Sequence, residues 1–109
     1  MKLSEEKAIA LRTGLKWMVI RECNVEGASA TQIGDDEPVI GGQDRLRLDS
    51  LDAVEIVAAI ERDFGFKLET VGAARKIFKS FAVMSDYIQQ NVPEPAIEAF
   101  IVKKQAQYF

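Results

Sequence analysis

The chain has 109 residues, a formal net charge of −3 and an apolar fraction of 48%. This length suits a single domain, and this composition allows a buried core and excludes broad disorder. The acidic balance argues against nucleic acid as a partner, because binding to nucleic acid usually requires a basic patch.

Two residue counts narrow the chemistry further. The chain has no histidine, which excludes Ser-His-Asp catalysis and the usual zinc sites. Its one cysteine, Cys23, excludes an internal disulfide, and we expect this residue to be a half-buried helix residue. The composition therefore weakens many enzyme classes, and we expect the chain to hold no metal ion.

Neither a membrane-spanning helix nor a signal peptide is predicted. No window contains 18 or more consecutive apolar residues. The first residues include Glu5 and Glu6, where a signal peptide would have an apolar stretch. We therefore expect a cytoplasmic location.

The N-terminal segment, from Ser4 to about Val25, is predicted to be a long amphipathic helix. Ser4 can cap it, and the two glutamates that follow suit the positive end of the helix dipole. Apolar residues recur at spacings of three and four, namely Ala8, Leu11, Leu15, Met18 and Val19. This stripe indicates a face packed on the core, although Gly14 interrupts it.

The segment from Glu26 to Asp49 is predicted to be a loop, because the turn-forming residues glycine, proline and aspartate recur along it. A connection of this length is often functional or partly mobile in a compact domain. We expect four apolar side chains to anchor it to the core, namely Val39, Ile40, Leu46 and Leu48.

The segment from Ser50 to Phe64 is predicted to be a strongly amphipathic helix. Its apolar side consists of Ala53, Ile56, Val57, Ile60 and Phe64, and its polar side of Asp52, Glu55, Arg62 and Asp63. Gly65 follows directly and suits a helix C-terminus. Either Asp49 or Ser50 can serve as the N-cap.

Two further helices are predicted after this one. A short helix runs from about Thr70 to Phe78, and Ser80 can cap another that runs from about Phe81 to Asn91. Two prolines, at positions 93 and 95, end the second of them.

The tail from Ala96 to Phe109 is predicted to form a further helix. No run alternates with a period of two, so strands are not expected. The prediction is therefore an all-α fold: a four-helix bundle over residues 1–92 with a long first loop and a short third helix, followed by a C-terminal helical extension over residues 93–109.

Ser50 lies at the junction between the loop and the clearest helix. The helix dipole and the free N–H groups of the first turn would stabilise a phosphate attached there. Serine is also a common N-cap, and this local geometry alone favours the capping role.

The residues from Asp49 to Gly65 resemble the signature of acyl carrier proteins. They show an Asp-Ser-Leu core, then a helix with acids and aliphatics in the family's order, and then Phe-Gly. The resemblance covers roughly Ser4 to Val92 and is strongest from Leu46 to Leu68. It implies a four-helix carrier domain.

This resemblance also implies a prosthetic group and a function. A phosphopantetheinyl transferase would move 4′-phosphopantetheine from coenzyme A onto the hydroxyl of Ser50, and the terminal thiol would carry an acyl group as a thioester. The chain itself would do no chemistry. Members of the family can shelter an acyl chain between helices, and the candidate lining residues here are Ala53, Val54, Val57, Ala58 and Ile60.

The family's partner enzymes usually present basic patches to the acids of the second helix. The corresponding acids here are Asp49, Asp52, Glu55, Glu61 and Asp63, and Leu51 and Ile56 are expected as apolar contacts beside the arm. The resemblance implies acyl-loading, ketosynthase-type or acyltransferase enzymes as further partners. We expect the chain to be a monomer.

Three hypotheses remain open from the sequence. The first is an acyl carrier for fatty acid, specialised lipid or polyketide synthesis. The second is a peptidyl or aminoacyl carrier, and the third is an unmodified helical interaction module in which Ser50 only caps a helix. Arg47 and Leu48 stand where the family commonly has a glycine, and this departure, with the long first loop, favours a specialised carrier.

Overall fold

The computed structural model of the chain describes residues 3–43, 46–65, 67–68 and 71–108. Its helices are α1 (Glu5–Glu22), α2 (Ser50–Phe64), α3 (Val71–Ile77), α4 (Phe81–Asn91) and α5 (Glu94–Tyr108), with a short 3-10 helix (Ala30–Gln32) in the first connection. These described ranges contain no β-strand, so the all-α prediction is confirmed. The predicted starting residue of the third helix, Thr70, lies outside the described residues.

Helix α1 is the element on which the others pack. It contacts α2, α4 and α5, and the predicted stripe is buried apart from Ala8, which is half-buried. The Ser4 hydroxyl accepts the N–H of Lys7 at 3.3 Å, which confirms the predicted cap. The helix ends earlier than predicted because Asn24 adopts a positive φ of 52°, which turns the chain away.

Gly14, which interrupts the stripe of α1, marks the closest approach of α1 to α5. A Cβ at this position would lie 2.9 Å from a ring carbon of Phe100. Because that separation is shorter than any normal carbon contact, only glycine lets the two helices approach this closely.

The long first connection is held on the core by apolar side chains. Val39, Leu46 and Leu48 are buried and Ile40 is half-buried, so the predicted anchors are confirmed. The backbone is tied as well, because the N–H of Val39 donates to the carbonyl of Phe78 at 3.1 Å. This hydrogen bond therefore fixes the first connection to the turn that follows α3.

Asp35 is a further anchor of the same connection. Its carboxylate accepts Lys16 Nζ at 2.6 Å and pairs with Arg12 Nε at 3.0 Å, and its carbonyl accepts the N–H of Ala82 at 2.8 Å. The hydrogen bond from Lys16 lowers the pKa of this carboxyl below its ordinary value. One loop residue thus joins α1 to the start of α4.

Helix α5 begins two residues before its predicted start. The carbonyl of Pro93 accepts the N–H groups of Ala96 and Ile97, and proline is tolerated in the first turn of a helix, as Pro95 is here. Ile97 and Phe100 are buried against the rest of the core. The C-terminal helical extension is confirmed, whereas the boundary between residues 1–92 and 93–109 stays a prediction.

Candidate functional site

The start of α2 is closed by two aspartates. Asp49 is the N-cap, and its Oδ1 accepts the N–H of Leu51 at 3.0 Å and that of Asp52 at 3.3 Å. Asp52 returns the interaction, because its Oδ2 accepts the N–H of Asp49 at 2.9 Å. This reciprocal capping box fixes the first turn of the helix.

Ser50 is the first residue of α2, and it is exposed. Because Asp49 caps the helix, the Ser50 hydroxyl has no capping role, and it makes no hydrogen bond to any described residue. The hypothesis that Ser50 serves only as the N-cap is therefore wrong. The N–H groups of Leu51 and Asp52 donate to Asp49 and are therefore not available to a phosphate, whereas the helix dipole still favours one there.

Two large apolar side chains are exposed next to Ser50. Leu51 is 77% exposed and Val54, one turn further along, is 66% exposed. Ala58 continues in the same direction and is exposed too. We call Leu51, Val54 and Ala58 the apolar row. It lies on the outward side of α2, where an amphipathic helix normally carries polar residues.

Ile56 does not belong to this surface. Its side chain is 0% exposed and lies in the core with Ala59 and Ile60. It follows Leu51 by five residues, which places it about 140° around the helix from that side chain. The predicted partner contact of Ile56 is therefore wrong, and its role is core packing.

The remaining acids of α2 differ in what they contact. Glu61 accepts the N–H of Leu68 at 3.0 Å and so holds the chain that leaves the helix. Glu55 is exposed, and its carboxylate makes no hydrogen bond or ion pair with a described residue. Because Asp49 and Asp52 also cap the helix, Glu55 is the acid of the predicted set that is exposed and without such a structural contact.

The side chain of Asp63, also expected to face a partner, is buried instead. Its side chain is 1% exposed; Arg62 Nε and Lys103 Nζ lie 3.2 Å from its Oδ1, and Lys104 Nζ lies 3.4 Å from its Oδ2. Burial alone would raise the pKa of this carboxyl, but the hydrogen bond from Arg62 and the charge of Lys104 outweigh it and lower the pKa. The expectation for Asp63 is corrected: it joins α2 to α5.

A depression of about 280 Å³ lies between α2 and α3. Its lining is apolar and consists of Ala53, Val54, Val57, Ala74 and Phe78. Three of the five predicted lining residues are therefore in place. The other two are not, because Ala58 lies on the outward side and Ile60 is fully buried in the core.

Ala74 and Phe78 form the wall that the sequence reasoning missed. They are four residues apart, a spacing that puts two side chains on one face of a helix. Phe78 lies in the turn that follows α3 and is half-buried. The apolar pair at this spacing was the signal available in the sequence.

Cys23 is half-buried at the C-terminal end of α1, as predicted. Burial raises the pKa of its thiol to about 12, and the negative charges of Asp52, Glu22 and Glu55 add to this effect. The thiol is therefore protonated at neutral pH, which makes it a poor nucleophile.

The described residues offer neither a metal site nor a membrane-spanning helix. No group of three or more cysteine, aspartate or glutamate residues among them is arranged to hold a metal ion. No helix within that part of the chain is long and apolar enough to cross a membrane.

Comparison with known protein families gave one match. The family model described as phosphopantetheine attachment site matches residues 23–71, a range that contains Ser50 and all of α2. No curated protein and no solved structure matched the chain. Domains of this family carry a covalently attached 4′-phosphopantetheine group. Residues 23–71 therefore resemble a phosphopantetheine attachment domain, and this match is consistent with a member of the acyl carrier protein family.

Proposed function

We propose that Ser50 is the attachment residue and that the chain carries acyl groups as thioesters on the attached arm. The observation that carries this proposal is the capping of α2 by Asp49, which leaves the Ser50 hydroxyl exposed and without a structural role. Ser50 also lies inside the matched range, next to exposed apolar side chains that suit contact with an enzyme.

The described residues are compatible with a group of this kind at Ser50. The hydroxyl oxygen has no competing donor or acceptor among them, and Ser50 itself is exposed. The group supplies the thiol that bears the acyl cargo. The chain holds its own thiol, Cys23, protonated, so we propose that catalysis is left to the partner enzymes.

Intact-mass measurement tests the attachment. The chain is co-expressed with a broad-specificity phosphopantetheinyl transferase, and the wild type is expected to gain the mass of one arm. Ser50→Ala is expected to gain nothing, whereas Ser29→Ala, which removes another serine of the matched range, is expected to be modified fully. A wild type that stays unmodified while a known carrier is modified rejects the proposal, and modification of Ser50→Ala rejects the site.

Acyl cargo is favoured over aminoacyl cargo by the apolar depression beside α2. An acyl chain buries apolar surface there, worth about 25 cal/mol per Å², whereas a charged ammonium would lose hydration against the same lining. At about 280 Å³ the depression falls just below the usual range of ligand pockets, about 300–1,000 Å³. We therefore propose an acyl chain of modest length.

The cargo is tested with arms that carry different groups. A broad-specificity transferase installs a fatty acyl arm or an aminoacyl arm, and the Tm of each form is compared with that of the unacylated form. The fatty acyl form is expected to have the higher Tm, because a group bound only by the folded state stabilises it. Ala53→Asp, inside the depression, is expected to abolish this gain, and Ala58→Asp, outside it, is expected to keep it. An equal gain from the aminoacyl arm would favour a peptidyl carrier.

The partners of the proposed carrier are a phosphopantetheinyl transferase and enzymes that load, condense or transfer acyl groups in fatty acid, specialised lipid or polyketide synthesis. We propose that they contact Asp49, Leu51, Asp52, Glu55 and Glu61, together with Val54. We further propose that the carrier acts as a monomer in the cytoplasm, where the donor coenzyme A is found.

A further inference from the structure

Helix α3 and the turn after it carry three exposed cationic side chains, Arg75, Lys76 and Lys79, which we call the basic face. None of them makes a hydrogen bond or an ion pair with a described residue. Several other cations are paired within the fold, since Lys7 pairs with Glu94, Lys16 with Asp35 and Lys104 with Asp63. The positive charge of the basic face is therefore not paired within the described residues and is available to a partner.

The basic face adjoins the proposed attachment site through the depression. Ala74 and Phe78 form one wall of that depression, and they directly precede Arg75 and Lys79 in the chain. The opposite wall belongs to α2, which begins at Ser50. Helix α3 has seven residues, so it is about 10 Å long. An ordinary interface covers about 800 Å² on each partner, so an enzyme centred on Leu51 and Val54 also covers α3.

The two sides of the depression differ in charge. Near the start of α2 the exposed acids Asp49 and Glu55 outnumber the exposed cation Arg47, whereas exposed charge on α3 and its turn is basic. A partner surface that is basic throughout would be attracted by α2 and repelled by α3. Like charges brought together across an interface disfavour the wrong partner, which is a source of specificity.

We propose that the basic face is a selectivity element for the enzymes that act at Ser50, and that these enzymes present an acidic patch opposite α3. This inference rests on the proposed carrier function. The partner surface it requires is bipolar: a basic region facing the start of α2 and an acidic region facing Arg75 and Lys79. Enzymes with a uniformly basic docking surface are discriminated against.

The test uses two purified phosphopantetheinyl transferases. One has a docking surface that is basic throughout, and the other has an acidic patch beside the basic one. The double variant Arg75→Glu/Lys79→Glu is expected to be modified with about tenfold higher kcat/KM by the first enzyme and about tenfold lower kcat/KM by the second, mainly through KM. Opposite directions with the two enzymes support the proposal, and any other pattern overturns it.

A matched variant controls for net charge. Arg21→Glu/Lys67→Glu makes the same change in charge at two exposed residues that do not line the depression. It is expected to change kcat/KM by less than twofold with either enzyme, and an effect equal to that of the α3 variant overturns the proposal. If the α3 variant has a lowered Tm, Arg75→Gln/Lys79→Gln replaces it, with smaller changes expected in the same directions.

Two further outcomes are distinguishable from these. If neither enzyme modifies wild-type Ser50, the carrier function fails and not only the selectivity element. If the wild type sediments with phosphatidylglycerol vesicles, the α3 variant does not, and the kinetics are unchanged, the basic face binds an anionic membrane. That result overturns the proposal in favour of a lipid surface.

Discussion

The two ends of α2 meet their surroundings in opposite ways. At the N-terminal end Ser50, Leu51 and Val54 are exposed, and the contacts within the chain are those of the capping box. At the C-terminal end the side chains of Asp63 and Phe64 are buried and contact α5. The helix is therefore held mainly by its far end and its core face.

This contrast explains how an amphipathic helix can leave apolar side chains exposed. Exposed leucine and valine contribute little to stability, so the burial of other residues must hold the helix in place. Phe64 and Phe100 supply such burial, with ring centroids 4.4 Å apart. The division of roles suits a carrier, because contact with enzymes needs an accessible start of α2 in a fixed position.

The largest effect is expected from removing the contact between α2 and α5. Phe100→Ala deletes a buried ring that touches both Phe64 and the position of Gly14, and it should cost about 4 kcal/mol of unfolding free energy. Denaturant unfolding measures this loss. Val102→Ala, on the exposed side of α5, is the control and should change stability by less than about 0.5 kcal/mol. Equal losses from both variants would show that α5 does not anchor α2.

The next largest effect is expected at Asp63. Asp63→Asn leaves the buried amine of Lys104 without its counter-charge and should cost about 3 kcal/mol, because an unpaired buried charge is strongly destabilising. Glu55→Gln removes an equivalent charge at the exposed end of the helix and should cost less than about 0.5 kcal/mol. Denaturant unfolding curves measure both losses. Equal losses of stability from Asp63→Asn and Glu55→Gln would contradict the proposed difference between the two ends of α2.

The same carboxyl predicts an acid-sensitive stability. The pKa of Asp63 is lowered in the folded state, so the unfolded chain, with a carboxyl pKa of about 3.9, binds its proton first as pH falls. The stabilisation is therefore present above about pH 4 and is lost as pH falls through the folded pKa. Urea midpoints measured from neutral pH to about pH 3 should fall steeply for the wild type and less steeply for Asp63→Asn. Parallel curves would contradict the assignment.

The sequence predicted the parts of the fold that depend on local signals. The bounds of α2 and α4 are as expected because caps and stops lie beside them: Asp49 and Ser80 at the starts, and Gly65, with a φ of 73°, after α2. The amphipathic stripe of α1 is equally local, since spacing alone defines its buried face.

The parts that depend on α5 could not be predicted in the same way. Asp63 belongs to the polar side of α2 in the sequence, and it becomes interior only because Lys103 and Lys104 dock beside it. From the sequence, Gly14 only interrupts the apolar stripe of α1. Its role follows from the ring of Phe100, which lies against it in the fold. The periodicity of one helix does not specify which other helix will cover it.

The smallest effects concern the start of α2 and separate capping from attachment. Asp49→Ala removes the side chain that accepts two backbone N–H groups and should cost about 1 kcal/mol. Ser50→Ala removes a hydroxyl that has no contact with described residues, so it should cost less than about 0.5 kcal/mol while abolishing attachment of the arm. Unfolding curves and intact mass, measured on the same two variants, give the answer. A larger loss of stability from Ser50→Ala than from Asp49→Ala would show that the Ser50 hydroxyl stabilises the fold. That result would contradict the view that this hydroxyl is exposed in order to carry the arm.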